Sequence, residues 1–226
     1  MSMMLRRTMM GGEVGGGSLW TPANLGTVPY LWADPSTSVT DAGAGACSQW
    51  NDKGSNATNW TQSTASDRPL IVPAGLNGLR VIRGDGSNDR MFNAGRAMLR
   101  NVSAGYVFFV FKRVVSTGGG LNRCIFCAVN NGAGARLALL CDNSTSANKM
   151  QLRVRRLDGD AVALLNGVTS VNSGWHMGLG VMDWANGDGY LYVNGALDAS
   201  NSSLTSSGST SDTPAGSDLS IFNGPG

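Results

Sequence analysis

The chain has 226 residues, 32 of them glycine, and its 42% hydrophobic content is enough to build the core of one domain. Charged residues make up 14% and the net charge is +2, too small to imply a nucleic-acid or polyanion partner. Glu13 is the only glutamate, and Lys53, Lys112 and Lys149 are the only lysines, so the good helix formers are nearly missing and helices are disfavoured.

In chain order, residues 1–18 read as a flexible glycine-rich leader, with Gly11, Gly12 and Gly15 to Gly17 opposing a fold of its own. The domain follows over 19–226. Tyr30-Leu31-Trp32 reads as a first short strand, then Cys47–Trp50, Ala57–Gln62, Leu70–Val72, Leu79–Arg83 and Arg90–Asn93, separated by Asn- and Gly-bearing turns. Gly105 to Arg113 is an aromatic and β-branched run expected to be a core strand. Arg123–Val129, Arg136–Cys141, Met150–Arg156 and Ala161–Leu165 come next. In the third of these Met150, Leu152 and Val154 alternate with Gln151, Arg153 and Arg155, which predicts one buried and one wet face. Trp175–Trp184 and Gly189–Asn194 form a hairpin, 199–217 reads as an exposed loop, and Leu219–Phe222 is a last short strand. About a dozen short strands without a helix imply an all-β, two-sheet antiparallel sandwich.

Chemistry is constrained by the same inventory. His176 is the only histidine, so metal sites that need two or more His cannot form within one chain, and a Ser-His-Asp triad would have to pass through it. A glycosidase pair of carboxylates would have to be two aspartates. The expectation is therefore a chain that is not an enzyme, with no catalytic residues. No stretch reaches the roughly 18–20 apolar residues of a spanning helix, and no apolar signal core forms at the start, so the thiols Cys47, Cys124, Cys127 and Cys141 are expected reduced. The C-x-x-C pair Cys124 and Cys127 lies in a strand, where residues three apart face opposite ways and cannot jointly grip a metal.

Two segments carry a resemblance. Ser48-Gln49-Trp50-Asn51-Asp52-Lys53 and Gly84-Asp85-Gly86-Ser87-Asn88-Asp89, together with Trp175-His176 and Leu191-Tyr192-Val193-Asn194-Gly195, resemble motifs of concanavalin A-like, laminin-G-like jelly-roll domains found in tailed-bacteriophage structural proteins and bacterial surface proteins. The resemblance spans about 19–223 and implies a jelly-roll sandwich. It further implies a virion component, either a capsid decoration or part of a fibre, spike or tail, made in the host cytoplasm. Its partners would be other virion proteins and copies of itself, a trimer among the options, with no nucleic acid and no membrane insertion. Such domains end in a further strand that this chain lacks after Phe222, which leaves a sheet edge for another segment or chain.

Within that frame no cofactor is expected, calcium being the one metal to consider. Asp85, Asn88 and Asp89 offer clustered oxygens suited to calcium; the competing reading is a turn whose side chains bond the local backbone. Trp60 and Trp184 flank turns and are the candidates for stacking on a sugar in the alternative function, a carbohydrate-binding module with a host-surface glycan among its candidate ligands. A glycan-active enzyme is the third reading.

Overall fold

Each of these short segments has only one side to bury, so they pair into sheets and the sheets stack. The computed structural model describes residues 22–24, 26–36, 38–113, 123–130, 134–142, 148–172, 174–214 and 218–222. The leader expected over 1–18 lies outside them, as does the side chain of Cys124. The strands are β1 (Val39–Asp41), β2 (Cys47–Trp50), β3 (Trp60–Thr61), β4 (Leu70–Leu76), β5 (Leu79–Arg83), β6 (Met91–Asn93), β7 (Ala104–Lys112), β8 (Arg123–Asn130), β9 (Gly134–Asp142), β10 (Lys149–Val154), β11 (Ala163–Ser170), β12 (Trp175–Asp183), β13 (Asp188–Val193), β14 (Ala196–Asn201) and β15 (Leu219–Ile221).

They form a two-sheet antiparallel sandwich of the jelly-roll, concanavalin A-like kind. The larger sheet runs β1-β2-β3-β6-β15-β8-β9-β10-β11 and the smaller β14-β13-β12-β7, with the β4-β5 hairpin beside them. The hairpin joins the larger sheet through a single bridge between Ala46 and Leu70. Among the described residues the helical content is two short 3-10 turns, Pro22–Asn24 and Ala65–Asp67.

The core lies between the sheets. Leu137, Leu139, Met150, Leu152 and Val154 point inward from β9 and β10 and are fully buried. Opposite them the smaller sheet presents very small residues. A Cβ on Gly180 would stand 3.0 Å from Leu152 Cδ1, one on Gly178 would stand 2.5 Å from Met150 Cε, and one on Gly105 would stand 2.9 Å from Trp184 Cζ3. Gly178 and Gly180 therefore receive the long side chains of the other sheet, and Gly105 receives the Trp184 ring from the β12–β13 turn of its own sheet together with Leu137 from β9.

The ends of the sandwich are tied by polar groups. Arg136, fully buried on β9, donates to the carbonyls of Leu99 (3.0 Å) and Thr213 (2.7 Å) and pairs with Asp158 at 2.6 Å. Thr210 Oγ1 donates to the Leu99 carbonyl at 2.7 Å and accepts from the Val102 amide at 3.0 Å. The segment expected as an exposed loop over 199–217 is thus pinned where it is described, with Leu204 and Thr210 buried. Its start is the unanticipated strand β14. Asn194 and Gly195 both take positive φ, 52° and 84°, the geometry of a tight hairpin turn that sends the chain straight back along β13.

Other expectations shift. Tyr30-Leu31-Trp32 is not a strand, because the Trp32 amide donates to Asp52 Oδ1 at 2.7 Å instead of to a ladder. Ala57–Gln62 contracts to β3. Gln151 and Arg155, predicted to be wet, are buried, as are Cys127, Ala138 and Leu140 on the outward side of β8 and β9. Alternation tells which face a residue takes, not whether that face is covered. The final strand β15 sits inside the larger sheet between β6 and β8. The run from Gly105, expected in the core of a sheet, is instead the terminal strand of the smaller one.

The glycine packing gives a direct expectation. In Gly105→Ala the new methyl meets the rigid, fully buried Trp184 ring, so the variant should unfold about 1–3 kcal/mol more easily by urea titration, as overpacked cores do.

Candidate functional site

In an antiparallel sheet with one buried face, the outward positions are ordinarily polar. On the smaller sheet they are not. The cross-strand register aligns Tyr106, Val181, Tyr190 and Ser200 in one row and Phe108, Leu179, Tyr192 and Leu197 in the next, and pairs Val110 with Met177 beyond them. Tyr106 is 69% exposed, Phe108 60%, Leu197 56% and Val110 46%, so the face is open. Four aromatic and five aliphatic side chains thus share one surface. Contiguous apolar patches of this kind on folded proteins mark interaction sites.

The rim of this face is charged. At one end Asp183 and Asp188 stand directly opposite each other on β12 and β13, and the Tyr190 hydroxyl donates to Asp188 Oδ2 at 3.2 Å. At the other end Lys112 closes β7, opposite Trp175. A second concavity, a shallow groove of about 560 Å³, lies on the outer side of the larger sheet and is lined by Thr40, Gln49, Gln62, Arg68, Arg90 and Phe92. It is polar, and its Arg90 is already engaged with Asp67 at 3.0 Å and with the Phe92 ring at 5.5 Å.

The residues singled out from the sequence lie elsewhere. Trp60 and Trp184 are buried, 3% and 0% exposed, and offer no face to a sugar. Trp60 meets Phe126 edge-on at 6.5 Å, and Trp184 stacks over Gly105 in the core. Both flank turns, as expected, but their rings point between the sheets. Asp85, Asn88 and Asp89 are brought together in one turn, with their oxygens turned to the chain itself. Asp85 Oδ1 accepts from the amides of Ser87 (2.8 Å) and Asn88 (3.3 Å), and Asp89 Oδ2 accepts from the Asp85 amide at 2.7 Å. Asn88 Nδ2 donates to Asp67 Oδ1 at 3.0 Å, which ties the turn to the 3-10 segment. Burial pushes the Asp89 carboxyl above its ordinary range, helped by the nearby Asp85 and Asp67 charges, whereas the Ser87 amide holds Asp85 below it. Among the described residues no three of His, Cys, Asp and Glu gather as a metal centre.

The other motif residues are also structural. Asp52 Oδ1 accepts from the Trp32 and Gly54 amides, at 2.7 and 2.8 Å, and Lys53 pairs with Asp34 at 3.0 Å. His176 packs on Phe111 at 5.9 Å, with Nδ1 at 3.3 Å from Asn194 Nδ2. Burial raises the Cys47 thiol to about 11, which leaves it inert at neutral pH.

No protein-family model and no curated protein matches the chain. Among solved structures it is similar to a Bacillus licheniformis β-glucanase, at 13% identity and a TM-score of 0.40, over 87% of this chain and 86% of that one. That protein is an enzyme, and the expectation that this chain is not one is withdrawn on that account. A likeness this distant transfers no residue role.

The outward face was missed because a run such as Gly105 to Phe111 is apolar at every position, which reads as burial on both sides. The available signal was in β12, where Met177, Leu179 and Val181 alternate with Gly178 and Gly180.

The Asp85 turn yields a pH expectation. The carboxylate is held below its ordinary value of 3.8, so the stability it contributes is fully present above that pH and lost as pH falls below it. Asp85→Asn should cost about 1 kcal/mol at pH 7, a small value because the group is exposed, and the gap to wild type should close near pH 2 in parallel urea melts.

Proposed function

We propose that the chain is a structural component of a tailed-bacteriophage virion, and that its sandwich is displayed there with the outward face of the smaller sheet as an adhesion surface. The virion placement rests on the motif resemblance over 19–223. The adhesive role rests on one observation, the nine apolar and aromatic side chains that face outward in register on β7, β12, β13 and β14, of which Tyr106, Phe108, Val110, Met177 and Leu197 are exposed and the other four half-buried. Fully burying a side chain of this size is worth about 1.5–3 kcal/mol, so covering four of the nine supplies roughly 6–12 kcal/mol before the cost of association. That is enough for a specific contact. In this reading the leader over 1–18 is the tether and the rigid sandwich holds the face outward.

A second reading, a carbohydrate-binding module, is favoured by the phenols of Tyr106, Tyr190 and Tyr192, with Tyr190 bonded to Asp188. Tyrosine rings stack on pyranose faces while a carboxylate bonds the hydroxyls. The aliphatic half of the surface, Val110, Met177, Leu179, Val181 and Leu197, suits a protein partner better.

Tyr192→Asp and Leu197→Asp place charge in the face two and three strands from the β7 edge, outside the core. Both variants should keep the wild-type far-ultraviolet spectrum, and particles carrying them should adsorb to host cells at least about tenfold less. Adsorption at the wild-type level would reject the adhesive surface, and purified particles without the chain would reject the virion placement. Binding on a glycan array that is lost in Tyr106→Ala and Tyr192→Ala would select the carbohydrate reading.

A further inference from the structure

We infer that two copies of this chain associate through β7, edge to edge and antiparallel about a twofold axis at Phe108, so that the two smaller sheets become one eight-stranded sheet. This goes beyond the proposed function and is independent of any virion.

Among the described residues β7 has one neighbour, β12, and ends its sheet. A terminal strand leaves alternate amides and carbonyls unpaired, and proteins that remain monomeric blunt such an edge with charges, proline, a bulge or a short length. This one is nine residues long, its pairing with β12 runs without a shift from Ala104 to Lys112, and Lys112 at its end is its only charge. What fits a bare edge is another strand, and two features identify that strand as β7 of a second copy.

The first is size. Pairing with Phe108 opposite its own copy is the register that uses all nine residues. On the inner face it sets Phe109 against the second copy's Val107 and Phe111 against its Gly105, a large side chain against a small one each time. Phe109 and Phe111 point inward yet remain half-buried at the rim of the sandwich, and this pairing would cover them. On the outer face Tyr106 meets Val110 and the two Phe108 rings meet each other, aromatic and β-branched pairs of the kind that stabilise sheets.

The second is charge. In the same register Lys112 lies opposite Ala104 of the second copy. Ala104 is small and its neighbour on β12 is Asp183, with Asp188 next on β13. Each lysine therefore reaches across the alanine to the acidic end of the other copy, and the twofold axis makes the contact twice. Lys112 is exposed, and among the described residues the Asp183 carboxylate accepts from the amide and the side chain of Asn186 in its own turn, at 3.2 and 2.8 Å. Such isologous, self-complementary contacts are those that close as dimers.

The test uses the full-length chain alone, by light scattering after size exclusion and by sedimentation equilibrium. A mass of twice 23.5 kDa is expected. Phe108→Lys sets two like charges on the axis and should weaken association by about 100-fold, and Lys112→Glu by about tenfold at low salt, both with unchanged far-ultraviolet spectra. Lys112→Glu combined with Asp183→Lys should regain most of the affinity, which only this register predicts. Phe108→Cys should form a disulfide-linked dimer under mild oxidant, and Tyr106→Cys alone should not. A monomeric wild type overturns the inference, including the case in which β7 amides resist hydrogen exchange because another part of the same chain covers them. A dimer indifferent to Phe108→Lys and Lys112→Glu overturns it as well. Neither failure touches the adhesion readout of Tyr192→Asp and Leu197→Asp.

Discussion

The close approach of the two sheets, set by glycine on one side and long aliphatic side chains on the other, is the constraint from which the remaining structure follows. Gly178 and Gly180 on β12 lie under Met150 and Leu152, and Gly105 on β7 lies under Trp184. With no Cβ at these points the sheets settle until Leu137, Leu139, Met150 and Leu152 are fully buried. The Trp184 ring is drawn into the same space. Interior packing tolerates little void, so the rest of the chain is arranged around that spacing. Gly189 receives Leu204 from the 199–214 segment, which is held in turn by Arg136 and Thr210 against Leu99.

That arrangement inverts the ordinary logic of an antiparallel sheet. On β12 the inward Gly178 and Gly180 are small, with the buried Met182 beyond them, and the outward residues are Met177, Leu179 and Val181. The large outward side chains of the smaller sheet are therefore not there to fill the core, to which Val107 and Met182 contribute from the inner face. On β13 Leu191 and Val193 do point inward, but Tyr190 and Tyr192 still face out. A core explanation for Tyr106, Phe108, Tyr190 and Tyr192 is thereby removed, and an apolar surface of this extent is of the kind that marks interaction sites on folded proteins. The edge of that surface and its face are separate resources: pairing along β7 consumes backbone groups and leaves the outward side chains free, and it doubles the surface they form.

The sequence was informative in proportion to how local the cause was. Sheet strands with plain alternation, such as Met150 to Val154, lie where the pattern puts them, and the hairpin from Trp175 to Val193 turns at Asn186 and Gly187 as expected. Turn chemistry was legible too: Asp85 binds the amides that follow it. What was not legible depended on the third dimension. Strand β14 needed the Asn194-Gly195 turn to be read as a hairpin rather than as the end of a strand. Trp60 and Trp184 were placed near turns correctly, but their ring direction depends on which side of the sheet they occupy, and that follows from pairing. The terminal position of β7 is a matter of topology, to which a run of seven apolar residues gives no clue.

Three of the motif residues, Asp52, Asp85 and Asn194, fix backbone. Asp52 holds two amides across a loop, Asp85 closes a turn, and Asn194 Oδ1 accepts from the Met177 amide at 2.9 Å while its own amide donates back to the Met177 carbonyl at 2.8 Å. Residues that specify a scaffold persist wherever the scaffold is used, whatever it is used for, so their presence identifies the architecture and is silent on the task. The groups free to differ between uses of one sandwich are those that neither pack in the core nor hold a turn. In this chain those are the outward side chains of β7, β12, β13 and β14 and the two ends of β7. The proposed adhesion and the proposed pairing along β7 draw on such residues, Tyr106, Phe108 and Lys112, whose side chains are exposed and hold no turn.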